Sequence, residues 1–338
     1  MKKRLLAMLM TGAMVASLAA CGGGSSTPAD DTQKDGGGKA STTSGCSVDV
    51  ILKTTASEYW SYVKAGAEAY SKDNPDVKVE VKGATSETAY DEQQNMIETD
   101  LNSGAYDAFV IAPLQADLVK TLIAGQTAPI VAVDTNIDAP EVLSFVGTGN
   151  EDAAAEGGKA AVEAAKAAGW DKVQAIAISG VQGDGTATAR LTGYEKGVTE
   201  AGGEFLKDEI QYADAVADKA ATSMEAIMQN HPEGVAIIVC NNDDMAMAAA
   251  RAAQGHDAYK NTIFLGFNGD RAACEAILDG QMTMSVAQMA YEMGYKAVET
   301  MVQVLDGETV DEFVDSGSDV VTPDNAQERL DTLKTQLH

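Results

Sequence analysis

Short apolar runs alternate with helix-periodic segments along most of the chain, and this alternation constrains the fold more than any other feature. Residues 48–52, 77–81, 108–111, 130–133, 173–178, 235–239 and 263–266 are predominantly apolar, are bounded by polar or glycine-rich stretches and read as short buried strands. Between them, apolar residues recur at helical spacing. The clearest case is Met293, Ala297, Met301, Val304 and Leu305, with Glu292, Lys296 and Glu299 on the opposite face. Such repeated alternation predicts an α/β protein with parallel sheets covered by helices on both faces and right-handed crossovers.

The roughly 290 residues that carry the pattern are too many for one typical core and comfortable for two. The alternation pauses at 145–149, and an alanine-rich helix at 153–168 then opens a second series. Two doubly wound lobes are therefore expected, with the break near Thr148. Met224, Met228, Met245 and Met247 stand at helical spacing and are read as core packing.

The amino-terminal segment follows a different logic. Lys2, Lys3 and Arg4 precede an apolar stretch that runs to Ala20, the pattern of a secretory signal peptide at residues 1–20. Leu18-Ala19-Ala20-Cys21 looks like a bacterial lipobox, which makes Cys21 the expected lipidation site and places the protein outside the cytoplasm, anchored to the cell membrane. Residues 21–46 hold runs such as Gly22-Gly23-Gly24 and Gly36-Gly37-Gly38, and no Leu, Ile, Val, Met or aromatic residue occurs from Gly22 to Gly45. Such a segment cannot bury enough apolar surface to fold, so a flexible linker is expected.

Lys and Arg number 24 against 51 Asp and Glu, a formal charge of −27. That balance leaves no basic patch for nucleic acid. Once Cys21 is lipidated, Cys46, Cys240 and Cys274 remain, an odd number without a CxxC spacing. Cys240 ends an apolar run and is read as a buried thiol, with a Cys240–Cys274 bridge left open. The histidines are His231, His256 and His338, none spaced as a metal ligand, and no HExxH or GxSxG occurs. Gly180, Gly183 and Gly185 follow a strand but lack the third glycine of a GxGxxG and the lysine of a P-loop. They form either a loop that admits ligand close to the backbone or a plain tight turn. No catalytic set, metal or cofactor is expected.

Ligands of parallel α/β sheets sit beyond the carboxyl ends of the strands. The polar residues placed there are Lys53, then Tyr59 and Trp60 at the next helix start, Asp134, Arg190 beyond the glycine turn, Asn242, Asn268 and Gln288. Asp243 and Asp244 are read as helix N-caps. The set combines an acceptor carboxylate, a forked donor, amides of both characters and flat aromatic faces. Sugar hydroxyls donate and accept while the ring C–H faces stack, so this is the chemistry a monosaccharide requires.

From about Ser47 to Asn325 the chain resembles the type I periplasmic binding proteins of sugar ABC transporters, particularly the ribose- and allose-binding branch. The resemblance rests on Val50-Ile51-Leu52-Lys53-Thr54 with Tyr59-Trp60, Ala112-Pro113-Leu114, Val133-Asp134, and Cys240-Asn241-Asn242-Asp243-Asp244-Met245. Gly266-Phe267-Asn268-Gly269 and Val286-Ala287-Gln288 complete it. It implies two lobes joined by a three-strand hinge, with crossings near Thr148, Gln288 and Val314. On that pattern residues 47–148 and 288–313 form the N-terminal lobe, 149–287 and 314–325 the C-terminal lobe, and 326–338 a helical tail. It also implies that Tyr59 and Trp60 stack on one ring face while Lys53, Asp134, Arg190, Asn242 and Gln288 bond the hydroxyls. Asn268 stands where the family more often has Asp, and Ala215 where an aromatic is expected; Tyr212 is the alternative for that face. The implied function is a monomeric, non-enzymatic solute-binding lipoprotein that delivers a pentose or hexose to an ABC permease. A sensor that presents ligand to a membrane receptor, and a binder of a nucleoside or small signalling sugar, are the competing readings. The linker occupies the place where a related repressor would carry its helix-turn-helix.

Overall fold

The computed structural model describes residues 45–337, so the signal-peptide, Cys21 and most of the linker readings lie outside the described residues. The first lobe runs β1 (Cys46–Thr54), α1 (Glu58–Asp73), β2 (Val77–Ala84), α2 (Tyr90–Ser103), β3 (Ala108–Ile111), α3 (Ala116–Ile123), β4 (Ile130–Val133) and β5 (Val142–Gly147). The second continues with α4 (Asn150–Ala167), β6 (Gln174–Ser179), α5 (Gly185–Glu200), β7 (Glu204–Phe205), β8 (Gln211–Tyr212), α6 (Ala217–Asn230) and β9 (Ile237–Cys240). It is followed by α7 (Asp243–Ala253), β10 (Ile263–Asn268), α8 (Arg271–Leu278) and β11 (Met284–Gln288). The chain ends with α9 (Ala290–Leu305), β12 (Phe313–Asp315), β13 (Ser318–Val321) and α10 (Ala326–Gln336).

The inner strands β3, β4 and β9 are fully buried apolar runs because both sheet faces are covered. On β1, Val48, Val50 and Leu52 point toward α1 and α9, while Ile51 points toward α2 and α3. Each such side chain contributes roughly 1.5–3 kcal/mol on burial. The first sheet has the order β12-β5-β4-β3-β1-β2 and is parallel throughout. The second has the order β13-β11-β10-β9-β6-β7, with β13 antiparallel to β11 and β8 continuing beside β6. In both sheets the chain direction of winding reverses beside the first strand, between β1 and β3 and between β6 and β9. That is where open α/β sheets leave a crevice.

Three boundaries differ from the sequence reading. Cys46, read as the last linker residue, is buried and pairs with Val77, so β1 starts there. The apparent pause near residue 145 is β5, a strand whose half-exposed pattern hides its period. The third crossing falls at Ser316 and Gly317 rather than Val314, because Val314 pairs with Val146 in the first sheet. The other crossings are at Thr148–Gly149 and Gln288–Met289, as α9 packs against α1 and the first sheet. Helix α10 lies on α8 and also touches α1, so it spans the two lobes. Its Arg329 reaches the crossing segment, donating to Gln288 O at 2.8 Å.

Close helix packing depends on glycine at a few points. A Cβ on Gly66 would lie 1.9 Å from Tyr291 O, and one on Gly294 would lie 1.9 Å from Val63 O, so α1 and α9 meet backbone to backbone. Cys46, Cys240 and Cys274 are free and buried, and the Cys240–Cys274 bridge is not formed. Burial pushes the Cys274 thiol up to about 12. Among the described residues no helix is long and apolar enough to cross a membrane. No group of three or more His, Cys, Asp or Glu among them could hold a metal ion.

Candidate functional site

Lys53, Tyr59 and Asp134 come together at the carboxyl ends of β1 and β4. Tyr59 donates its hydroxyl to Asp134 Oδ1 at 2.8 Å, Thr135 Oγ1 donates to Oδ2 at 2.8 Å, and Lys53 Nζ lies 3.2 Å from Oδ2. Burial alone would raise the Asp134 carboxyl, but Lys53, Thr135 and Tyr59 outweigh it and hold it below the usual range. The Tyr59 hydroxyl is driven the other way, well above its ordinary value, by burial and by Asp134. Asp134 has φ 63°, so the carboxylate is presented from a left-handed turn.

Trp60 is 2% exposed and donates its indole N–H to Glu87 Oε1 at 2.7 Å. Tyr59 meets its ring edge-on with centroids 5.1 Å apart, and Lys53 Nζ stands 5.7 Å from the ring centre. Trp60 is thus a backing wall to Tyr59 and Lys53 in this conformation rather than a bare stacking face.

On the opposite lobe Arg190 projects from α5, buried to 7% exposure. Its Nε donates to Asn150 Oδ1 at 2.8 Å, its Nη1 to Asn241 O at 2.7 Å, and its plane stacks 3.7 Å from the Phe267 ring centre. The guanidinium is held on one edge and one face, and its Nη2 makes no hydrogen bond to the described residues. Burial pulls its proton affinity down, while Asp134 and Tyr59 of the other lobe act to raise it. The two clusters therefore feel each other across the cleft. Glu58 and Arg271 join the lobes at its edge, with Nε 2.6 Å from Oε1.

Asn268 and Gln288 sit side by side at the ends of β10 and β11, Gln288 Nε2 donating to Asn268 Oδ1 at 2.9 Å. Asn242 is more committed than the sequence suggested. Its Oδ1 accepts from Met245 N at 2.9 Å and its Nδ2 donates to Ala215 O at 3.3 Å. Asn242, not Asp243 or Asp244, is therefore the N-cap of α7. It also tethers a turn in which Asp214 and Ala215 both have positive φ, 51° and 60°. Tyr212 is 42% exposed on β8. In the glycine turn a Cβ on Gly180 would lie 2.8 Å from Asn241 Nδ2, whereas one on Gly183 or Gly185 would meet nothing within 4 Å.

Sequence reasoning missed Asp243, which is 1% exposed. Its Oδ2 accepts from Gly269 N at 2.8 Å and Asp270 N at 3.1 Å, and its Oδ1 from Ser285 Oγ at 2.6 Å. It locks the turn that carries Asn268. The signal was present: once Asn242 takes the cap, an acid directly after it at a helix start needs a different partner. Asn150 and Phe267, which hold Arg190, carried no signal of their own.

Residues 48–309 match the model of the periplasmic binding protein domain. The ribose import binding protein of Escherichia coli strain K12 is 31% identical over 216 residues, which is 62% of this chain and 70% of that protein. The D-ribose/D-allose-binding protein of Pseudomonas aeruginosa is 26% identical over 80% of this chain and 85% of its own length. A solute-binding protein of Agrobacterium radiobacter, crystallised in complex with D-arabinose, superposes with a TM-score of 0.73 at 26% identity. That superposition covers 88% of this chain and 100% of the other.

Proposed function

The chain belongs to the periplasmic binding protein domain family, and from that premise we propose that it is the extracytoplasmic substrate-binding lipoprotein of an ABC importer. On this reading it takes a monosaccharide, pentose or hexose, into the cleft between its lobes and delivers it to the permease.

The observation that carries the proposal is the arrangement of Arg190 opposite Asp134. A forked donor is fixed on one lobe with an open edge, and a carboxylate held ionised by Lys53 stands on the other. Charge-assisted bonds from both sides to the same hydroxyl-rich ligand favour the closed form, since neither cluster alone encloses it. Asn268 and Gln288 add amides that match hydroxyls of either character. The relatives named for ribose, allose and arabinose support a sugar over other small polar ligands.

A thermal-shift screen of the mature chain against D-ribose, D-allose, D-arabinose and a nucleoside tests the ligand class. A ligand present at 100 times its Kd adds about 2.7 kcal/mol to folded-state stability, a rise of several degrees in the melting midpoint. No shift with any of the sugars would refute the sugar reading, and a shift with the nucleoside alone would replace it. The anchor is tested separately: Cys21→Ala is expected to move the protein from the membrane fraction to the soluble fraction.

A further inference from the structure

Asp270 occupies the N-cap position of α8, where an aspartate ordinarily accepts from the first-turn amides, yet it makes no such bond. Its Oδ2 accepts instead from Asn268 Nδ2 at 3.4 Å, and Asn268 Oδ1 in turn accepts from Gln288 Nε2 at 2.9 Å. The three side chains form a row along the strand tips of the second lobe. The backbone beneath is fixed by Asp243, which binds the amides of Gly269 and Asp270. A Cβ on Gly269 would lie 2.3 Å from Ala287 Cβ, and Asn268 is held at φ 132°, a conformation that costs energy for a non-glycine residue. The row cannot slide.

Two facing carboxamides pair equally well in either sense, because each has a donor and an acceptor. An ionised carboxylate only accepts. With Asp270 at one end, Asn268 must turn its NH2 toward the carboxylate and its carbonyl toward Gln288. Gln288 then donates through Nε2, and its Oε1, which has no hydrogen bond to the described residues, is left as an acceptor for a ligand.

We propose that Asp270 is a positioning residue that sets the donor–acceptor polarity of the Asn268–Gln288 pair and so selects ligands that present a hydroxyl donor to Gln288 Oε1. The selection rests on the reading of the cleft as a sugar site; the polarity of the row does not. Reversal is built in, because a protonated Asp270 becomes a donor. Burial first, then Asp243, raise its carboxyl to about 7 against the lowering effect of the Asn268 hydrogen bond, and Glu58 and Asp244 act in the raising direction. Asp270 in turn helps to raise the Tyr59 and Tyr62 hydroxyls of α1, after burial and their own carboxylate partners. The nearby cations are Arg271, which pairs with Glu58, and Arg329, which donates to Gly269 O.

Two measurements test it. In ligand-free, 15N-labelled full-length protein, the side-chain amide signals of Asn268 and Gln288, assigned by their loss in Asn268→Asp and Gln288→Glu, should titrate together near neutral pH. In Asp270→Asn they should not titrate. Signals that ignore pH in the wild type, or that titrate equally in the variant, overturn the proposal. The second measurement compares affinities for D-ribose, D-allose and their monodeoxy analogues at pH 8. Asp270→Asn should shrink the ratio between the tightest sugar and its most penalised deoxy analogue by about five-fold, the worth of one hydrogen bond, with its melting midpoint little changed. A sugar-binding protein whose ratio survives the substitution contradicts the selection. Wild type that binds no sugar refutes the sugar reading, while the amide titration still decides the polarity.

Discussion

Arg190 shows how a single side chain is made specific by what holds it. Its stem is buried, two of its donors are spent on Asn150 and Asn241, and Phe267 fixes its plane, so one edge is presented without rotamer freedom. Arg190→Ala should weaken ligand binding by about 1.5–3 kcal/mol, roughly 10–100-fold in Kd. Arg190→Lys should recover little of it, since an ammonium can neither stack nor bridge both partners. Titration calorimetry of the two variants checks this, and full rescue by lysine would contradict it. Asp134 is likewise largely pre-committed: three protein donors occupy its oxygens. A carboxylate has about four lone-pair sites, so roughly one remains open. The placement of these residues was legible in the sequence, because residues directly after an apolar strand lie at the sheet's carboxyl edge. What was not legible was which polar group holds and which is held. The Asn241-Asn242-Asp243 run gives no order of precedence, and the structure gives the cap to Asn242 and the interior to Asp243.

At the level of elements, most strands that the sequence revealed are buried on both faces, and the edge strand β2 was legible from its alternating Val77, Val79 and Val81. β5 and β12 escaped notice because they lie at the outer side of the first sheet, where half-exposed residues such as Leu143 and Phe313 break the pattern. The helix contacts that fix the lobes were equally silent, since a glycine inside a helical pattern carries no sign of what it touches. Gly66→Ala would force α1 from α9 and should cost about 1–3 kcal/mol, measured by denaturant unfolding. An unchanged midpoint would show that the helices separate without penalty. Helix α10 is fastened to both lobes, with Leu333 buried to 2% exposure and Gln336 Nε2 donating to Glu292 Oε1 at 3.2 Å. Leu333→Ala should lower stability by about 2–5 kcal/mol. A loss well below that range would mean that the helix is only loosely seated.

For the whole molecule, buried acid sets the pH response. Burial raises Asp49, to about 7 despite Lys82 at 3.2 Å, and likewise raises Asp243 and Asp270. The folded state therefore keeps protons that the unfolded chain sheds near pH 4, so stability falls as pH climbs from about 4 to 7. Carboxyls held low, such as Asp134 and Glu80, act in the opposite sense only below about pH 4.5, where their contribution is lost. Self-repulsion of a chain with formal charge −27 adds to the decline above that point. The melting midpoint should be higher at pH 5.5 than at pH 8, and the reverse order would contradict this balance.

On the proposed reading, Arg190 of one lobe and Asp134 of the other grip a single small sugar between them. Calorimetric titration of wild type, Arg190→Ala and Asp134→Asn with D-ribose, D-allose and D-arabinose tests it most directly. One site per chain is expected for at least one of these sugars, with both variants weakened ten-fold or more, roughly one charge-assisted hydrogen bond each. Binding that is absent in the wild type, or unchanged when either lobe loses its charged group, would contradict it.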